Sequence, residues 1–171
     1  MIICDLYQLS AELKGESGRR KISYSLYSDL PAGTRAIISL ERFYYNSRGE
    51  KCVWTGVGPG FGDEAFFKPN IYGDFAGLED EIDVELFDRC ALEEFEAIIT
   101  SLSLGVVCRV SDELQLIISV GARQRIRAFG KNNENLTGGM VAKKGSVNIV
   151  EAEISFNAPV LAESQPFTSN D

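Results

Sequence analysis

Apolar and polar residues alternate along much of this chain with a period of two. In KISYSLYS, Ile22, Tyr24 and Leu26 fall on one face opposite Ser23 and Ser25; in TRAIISLERFYY, Ala36, Ile38 and Leu40 oppose Ile37, Ser39 and Glu41. Residues 2–7 alternate too, with Ile2, Cys4 and Leu6 against Ile3, Asp5 and Tyr7. Such runs, rich in β-branched and aromatic residues, predict half-buried strands. GESGRR, SDLPAG and NSRGEK separate them as turn clusters. Residues 56–80, rich in glycine and aromatics, read as a long connection holding at most a short strand, and EIDVELF alternates again with Ile82, Val84 and Leu86 inward.

The period then changes. In DRCALEEFEAIITSLSLG, Ala91, Phe95, Ile98, Ile99 and Leu102 recur at helical spacing, with Glu93, Glu94 and Glu96 on the outside. This predicts one amphipathic helix near residues 88–104, with Asp88 as N-cap and Gly105 as its stop. GVVCRV, ELQLIISV and RQRIRAF then read as strands, GKNNENLTGG as a turn and NIVEAEISF as the closing strand. The expected fold is mainly β: a two-layer antiparallel sandwich with one inserted helix, a single domain over residues 1–160 and a flexible tail at 161–171.

Composition narrows the chemistry. The 171 residues contain no histidine, which removes Ser-His-Asp and Cys-His relays and the usual neutral-pH proton shuttle. The balance is therefore against an enzyme. Cys4, Cys52, Cys90 and Cys108 are widely spaced among apolar neighbours and read as buried free thiols rather than a thiolate metal site. No apolar run reaches the ~18–20 residues of a membrane span, and the start MIICDLYQLSAELKG lacks a signal-peptide pattern. The expectation is a cytoplasmic protein with no cofactor.

WTGVGPGFGDE has the glycines of a phosphate cradle in the wrong register, followed by two acids and then Pro69. A wide turn fits it better.

Charge is distributed unevenly. Residues 61–100 hold twelve acids against two bases, while the other 131 residues hold thirteen acids and fifteen bases. Besides a solvated face that keeps the protein dispersed, this span supports a docking surface for a basic partner protein, built from Glu79, Asp80, Glu81, Asp83, Glu85, Glu93, Glu94 and Glu96. A calcium site from Asp74, Glu79, Asp80, Glu81 and Asp83 is a second option, although the order of an EF-hand loop is absent. A carboxylate-based ligand-binding or hydrolytic protein is the alternative from another class. In RQRIR, Arg123, Arg125 and Arg127 would share one strand face able to contact anions or the chain's own acids. Direct nucleic-acid binding is not expected at a pI near 4.7.

SYSLYSDLPAGTRAIISL, with its L-P-x-G-T turn, resembles the opening hairpin of bacterial Ig-like β-sandwich domains, and GARQRIRAFGKNNENLTGG is similar to segments that follow a strand in them. The likeness covers about a third of the chain and implies a sandwich, in a group whose members mostly lack an assigned function. The helix and the acidic span depart from it.

Overall fold

The computed structural model describes residues 1–46, 48–53, 63–69, 75–121 without 102–108, and 123–161; side chains 94–101 and 109 lie outside the description. The glycine loop 54–62, Asp74, Cys108, Gly105 and residues 162–171 of the expected tail fall outside it as well.

The described elements are β1 (Ile2–Ile3), β2 (Tyr7–Lys14), β3 (Lys21–Ser28), β4 (Arg35–Tyr45), β5 (Lys51–Val53), β6 (Asp63–Phe66), β7 (Lys68–Pro69), β8 (Ala76–Asp83), α1 (Val84–Ser101), β9 (Arg109–Val120), β10 (Leu136–Thr137), β11 (Ala142–Lys144) and β12 (Val147–Asn157). One sheet runs β11-β12-β9-β4-β5, with β6 also paired to β4; the other runs β2-β3-β8-β7. All pairings within these two sheets are antiparallel. Their inner faces meet in one core: Ile22 and Leu26 of β3 and Leu78 of β8 pack with Ala36, Ile38 and Leu40 of β4 and Leu114, Leu116 and Ile118 of β9. This is the expected mainly β two-layer sandwich, with one α-helix among the described residues. A small parallel pair, β1 with β10, is added at one end.

The alternation placed β3 and β4 where they lie, because each alternates buried and partly exposed positions. Between them Gly33 takes φ +87° and Thr34 donates its backbone N–H to the Pro31 carbonyl at 3.2 Å. A left-handed third residue is what a type II turn requires. A register shift between Arg42 and Tyr44 then interrupts the alternation, so that Arg42 and Phe43 are both buried.

Four expectations are corrected. The N-terminal strand is two: β1 ends at Ile3, and Tyr7, Leu9, Ala11 and Leu13 form the half-buried side of β2. The 56–80 connection holds β6, β7 and the start of β8. The helix begins at Val84, because Val84, Phe87, Asp88 and Ala91 are buried at i, i+3, i+4 and i+7. Leu86 consequently points outward, 54% exposed. Lastly, RQRIR is not a strand: Arg123 sits at φ +65°, residues 125–126 bend, and 127–129 form a 3₁₀ turn. Phe129, fully buried, is the anchor that fixes this turn to the core. Among the described residues no helix is long and apolar enough to cross a membrane, which says nothing of strands.

Candidate functional site

Pleating divides the acids of β8. Glu79, Glu81 and Asp83 stand on the outer face opposite Ser25, Ser23 and Lys21, whereas Asp80 lies opposite Tyr24 on the side of the core. All four are exposed. Tyr27 donates its hydroxyl to Glu79 at 2.9 Å, and Ser23 donates to Glu81 at 3.2 Å. The Glu79 carboxylate, as acceptor, raises the Tyr27 pKa. Asp83 accepts the Leu86 N–H at 3.0 Å and is thus the N-cap of α1, the role expected of Asp88. Among the described residues, none of these four acids forms an ion pair.

They border an open flank of the sandwich. β7 pairs only with Ala76 and Gly77, so among the described residues the edge of β8 from Leu78 to Asp83 has no strand partner. Across the flank stands β6, whose Asp63 and Glu64 are exposed. Between the two edges lies a cleft of about 920 Å³ lined by Tyr24, Phe66, Leu78 and Asp80 among others. Burial, reinforced by Asp80 and Asp63, pushes the Tyr24 phenol up to about 12. Toward α1 a groove of about 310 Å³ has an apolar floor of Ile38, Leu40, Ile82, Leu86 and Phe87 and a rim of Asp63, Glu81 and Asp83.

The helix acids have other duties. Arg42, fully buried, donates Nε to Asp88 Oδ1 and Nη2 to Asp88 Oδ2, both at 2.8 Å. It also donates to the Ala158 carbonyl. Arg20 donates Nε to Glu85 at 2.7 Å and Nη1 to the Pro159 carbonyl at 2.6 Å, with its Nη2 3.5 Å from Asp88. Two arginines and two acids therefore neutralise one another beneath the first turns of α1. Glu85, predicted as part of the docking surface, belongs to this buried cluster because its position faces the sheets. Glu93 is exposed, and the side chains of Glu94 and Glu96 lie outside the described residues.

The arginine stripe is also dispersed. Arg125 stacks 4.7 Å from the Phe66 ring centroid and lies 3.6 Å from Glu64, which Arg35 holds at 2.6 Å. The pairing with the chain's own acidic span is thus observed for Arg125, while the turn separates Arg123 and Arg127 from a common strand face.

Among the described residues no three Cys, Asp or Glu side chains converge in a way that could hold a metal ion; the alternation of β8 parts Asp80 from Glu79, Glu81 and Asp83. Cys4, Cys52 and Cys90 are free thiols, and of these only Cys4 is fully buried. Burial raises the Cys4 thiol to about 11. Acidity is not confined to the flank. On the outer face of the larger sheet, burial and then Glu151 and Glu153 raise the Glu41 carboxyl.

Sequence periodicity located the acids of β8 but not the groove. Its floor draws on β4, β8 and α1, and the exposed Leu86 that signals it appears only once the helix start is known. Compared with protein-family models, curated proteins and solved structures, the chain matches none.

Proposed function

We propose that this protein is a non-enzymatic interaction module that docks a basic partner protein on the flank between β6 and β8. One observation carries the reading: Glu79, Asp80, Glu81 and Asp83 are exposed along one strand edge with no ion pair among the described residues, beside an apolar groove. Unopposed like charges raise the local potential, steer an oppositely charged partner and select against acidic ones. The apolar floor supplies the water-excluded contact that charge alone lacks. Likeness to bacterial Ig-like sandwiches is part of the same proposal, as is a cytoplasmic setting, which the free thiols support.

The test is a comparison of two immobilised proteins, the native chain and the Glu79→Lys, Glu81→Lys variant. The native chain is expected to retain partners from a lysate at ~0.05 M salt and to release them by ~0.5 M, where exposed charges are screened within a few ångströms. The variant should retain none of them. Identical retention by both, or retention indifferent to salt, overturns the reading.

A further inference from the structure

We infer that the flank receives an extended segment of the partner as an added strand on β8, and that this segment alternates basic with apolar side chains. The inference rests on the reading of the flank as a docking surface and specifies what docks there.

The starting point is the edge of β8 that has no strand partner among the described residues. From Leu78 to Asp83, β8 is bonded to β3 on one side and to no described strand on the other. An edge without a strand partner offers main-chain donors and acceptors to an extended chain, which here would have to displace the Asp80 carboxylate from the Glu81 N–H it accepts at 2.7 Å. An added strand would lie ~4.8 Å from β8, and its side chains would point alternately to the two faces. One set would stand beside Glu79, Glu81 and Asp83 on the outer face, within the ~5 Å at which cross-strand pairs interact. Lysine or arginine fits there. The other set would turn to the opposite face, past Asp80 and onto Ile82 and the exposed Leu86 of the groove, where aliphatic side chains fit at Ile82 and Leu86.

The same charges select among occupants. A second copy pairing through its own β8 would set carboxylates against carboxylates, which is unfavourable for directly opposed residues. An acidic segment meets the same penalty. A basic, alternating strand of another protein suffers neither.

Fluorescence polarisation with a synthetic nonapeptide alternating Lys with Val and Thr tests the inference. The alternating peptide is expected to bind, and to bind at least about tenfold more weakly to Leu86→Glu and to Glu81→Lys. Two further peptides of the same charge separate strand addition from plain attraction: one with its lysines grouped at one end, and one N-methylated at every second residue to remove main-chain donors. Each should be about tenfold weaker than the parent. Equal binding of all three overturns strand addition while leaving the docking reading intact. Binding of none overturns it too, and salt-sensitive retention of lysate partners would then show that the docking reading survives. Sedimentation that finds a dimer, broken by Glu81→Lys, assigns the edge to a second copy and likewise overturns it.

Discussion

Arg42 grips Asp88 through two parallel hydrogen bonds of 2.8 Å, and neither residue is reachable by water to any useful degree. The pair joins β4 to the first turn and a half of α1. Removing Asp88 leaves Arg42 buried without its counterion, and removing Arg42 leaves Asp88 only the more distant Arg20 at 3.5 Å; breaking such a buried pair typically costs about 3–5 kcal/mol. Arg42→Leu and Asp88→Leu are each expected to lower the urea-unfolding free energy by about that amount. The double variant should lose far less than the sum, with a coupling of ~2 kcal/mol or more in the double-mutant cycle. Additive losses would mean that the bidentate contact contributes little.

Asp83 caps α1 through the Leu86 N–H. Asp83→Ala should cost about 1 kcal/mol, and Asp83→Ser should recover most of it. The corresponding change at Asp88 belongs to a different class: Asp88→Ser removes a buried counterion and is expected to be several-fold worse. Thermal melts of the three variants order them.

Gly77 lets the Tyr27 ring lie across β8. A Cβ at this position would come 2.8 Å from the ring and 2.5 Å from the Leu26 carbonyl oxygen. Gly77→Ala is expected to destabilise by ~1–3 kcal/mol, the usual range for overpacking. It should also displace the Tyr27 hydroxyl from Glu79, returning the phenol toward its ordinary pKa. Ultraviolet titration of tyrosinate reads that return.

Glu41 has its folded pKa raised, first by burial and then by Glu151 and Glu153. The fold binds this proton more tightly than the unfolded chain does. The stability tied to it is therefore present below the unfolded carboxylate pKa and lost as pH rises through the folded one. Glu41→Gln should accordingly stabilise the protein at neutral pH, and its advantage should shrink as pH falls through the carboxylate range. Melting curves at pH 7 and pH 4 make the comparison; an advantage that grows on acidification contradicts the assignment.

Burial sets thiol reactivity in order. Cys4 has its pKa raised to about 11 and its Sγ lies 3.6 Å from the Ser28 hydroxyl. Alkylation near neutral pH should label the partly exposed Cys52 well before Cys4, as judged by peptide mapping. Equal rates would place Cys4 nearer the surface.

These residues also mark where sequence reasoning succeeds. β3 and β4 were legible because Ile22, Tyr24, Leu26, Ala36, Ile38 and Leu40 repeat with a strict period of two and enter one core. The start of α1 was not, because Ile82, Val84 and Leu86 continue that period past Asp83, and only tertiary burial of Phe87 and Asp88 decides for a helix. β2 was missed for a related reason: Ala11 is a weak marker between Leu9 and Leu13. The RQRIR segment failed because Arg123 takes a left-handed angle that period-two spacing cannot reveal. Of the site, the acids were visible as a charge run, but Glu85 and Glu81 look alike in sequence and are separated only by which element carries them.

The parallel pairing of β1 with β10 has a kinetic consequence. Ile2 sits beside Leu136, and Asp5 accepts the Gly139 N–H across 134 residues of chain. Closing so wide a loop delays the pairing of β1 until β10 is in place. β1 should be among the last elements to lock, so its amides are expected to gain protection late when refolding is followed by pulsed hydrogen exchange.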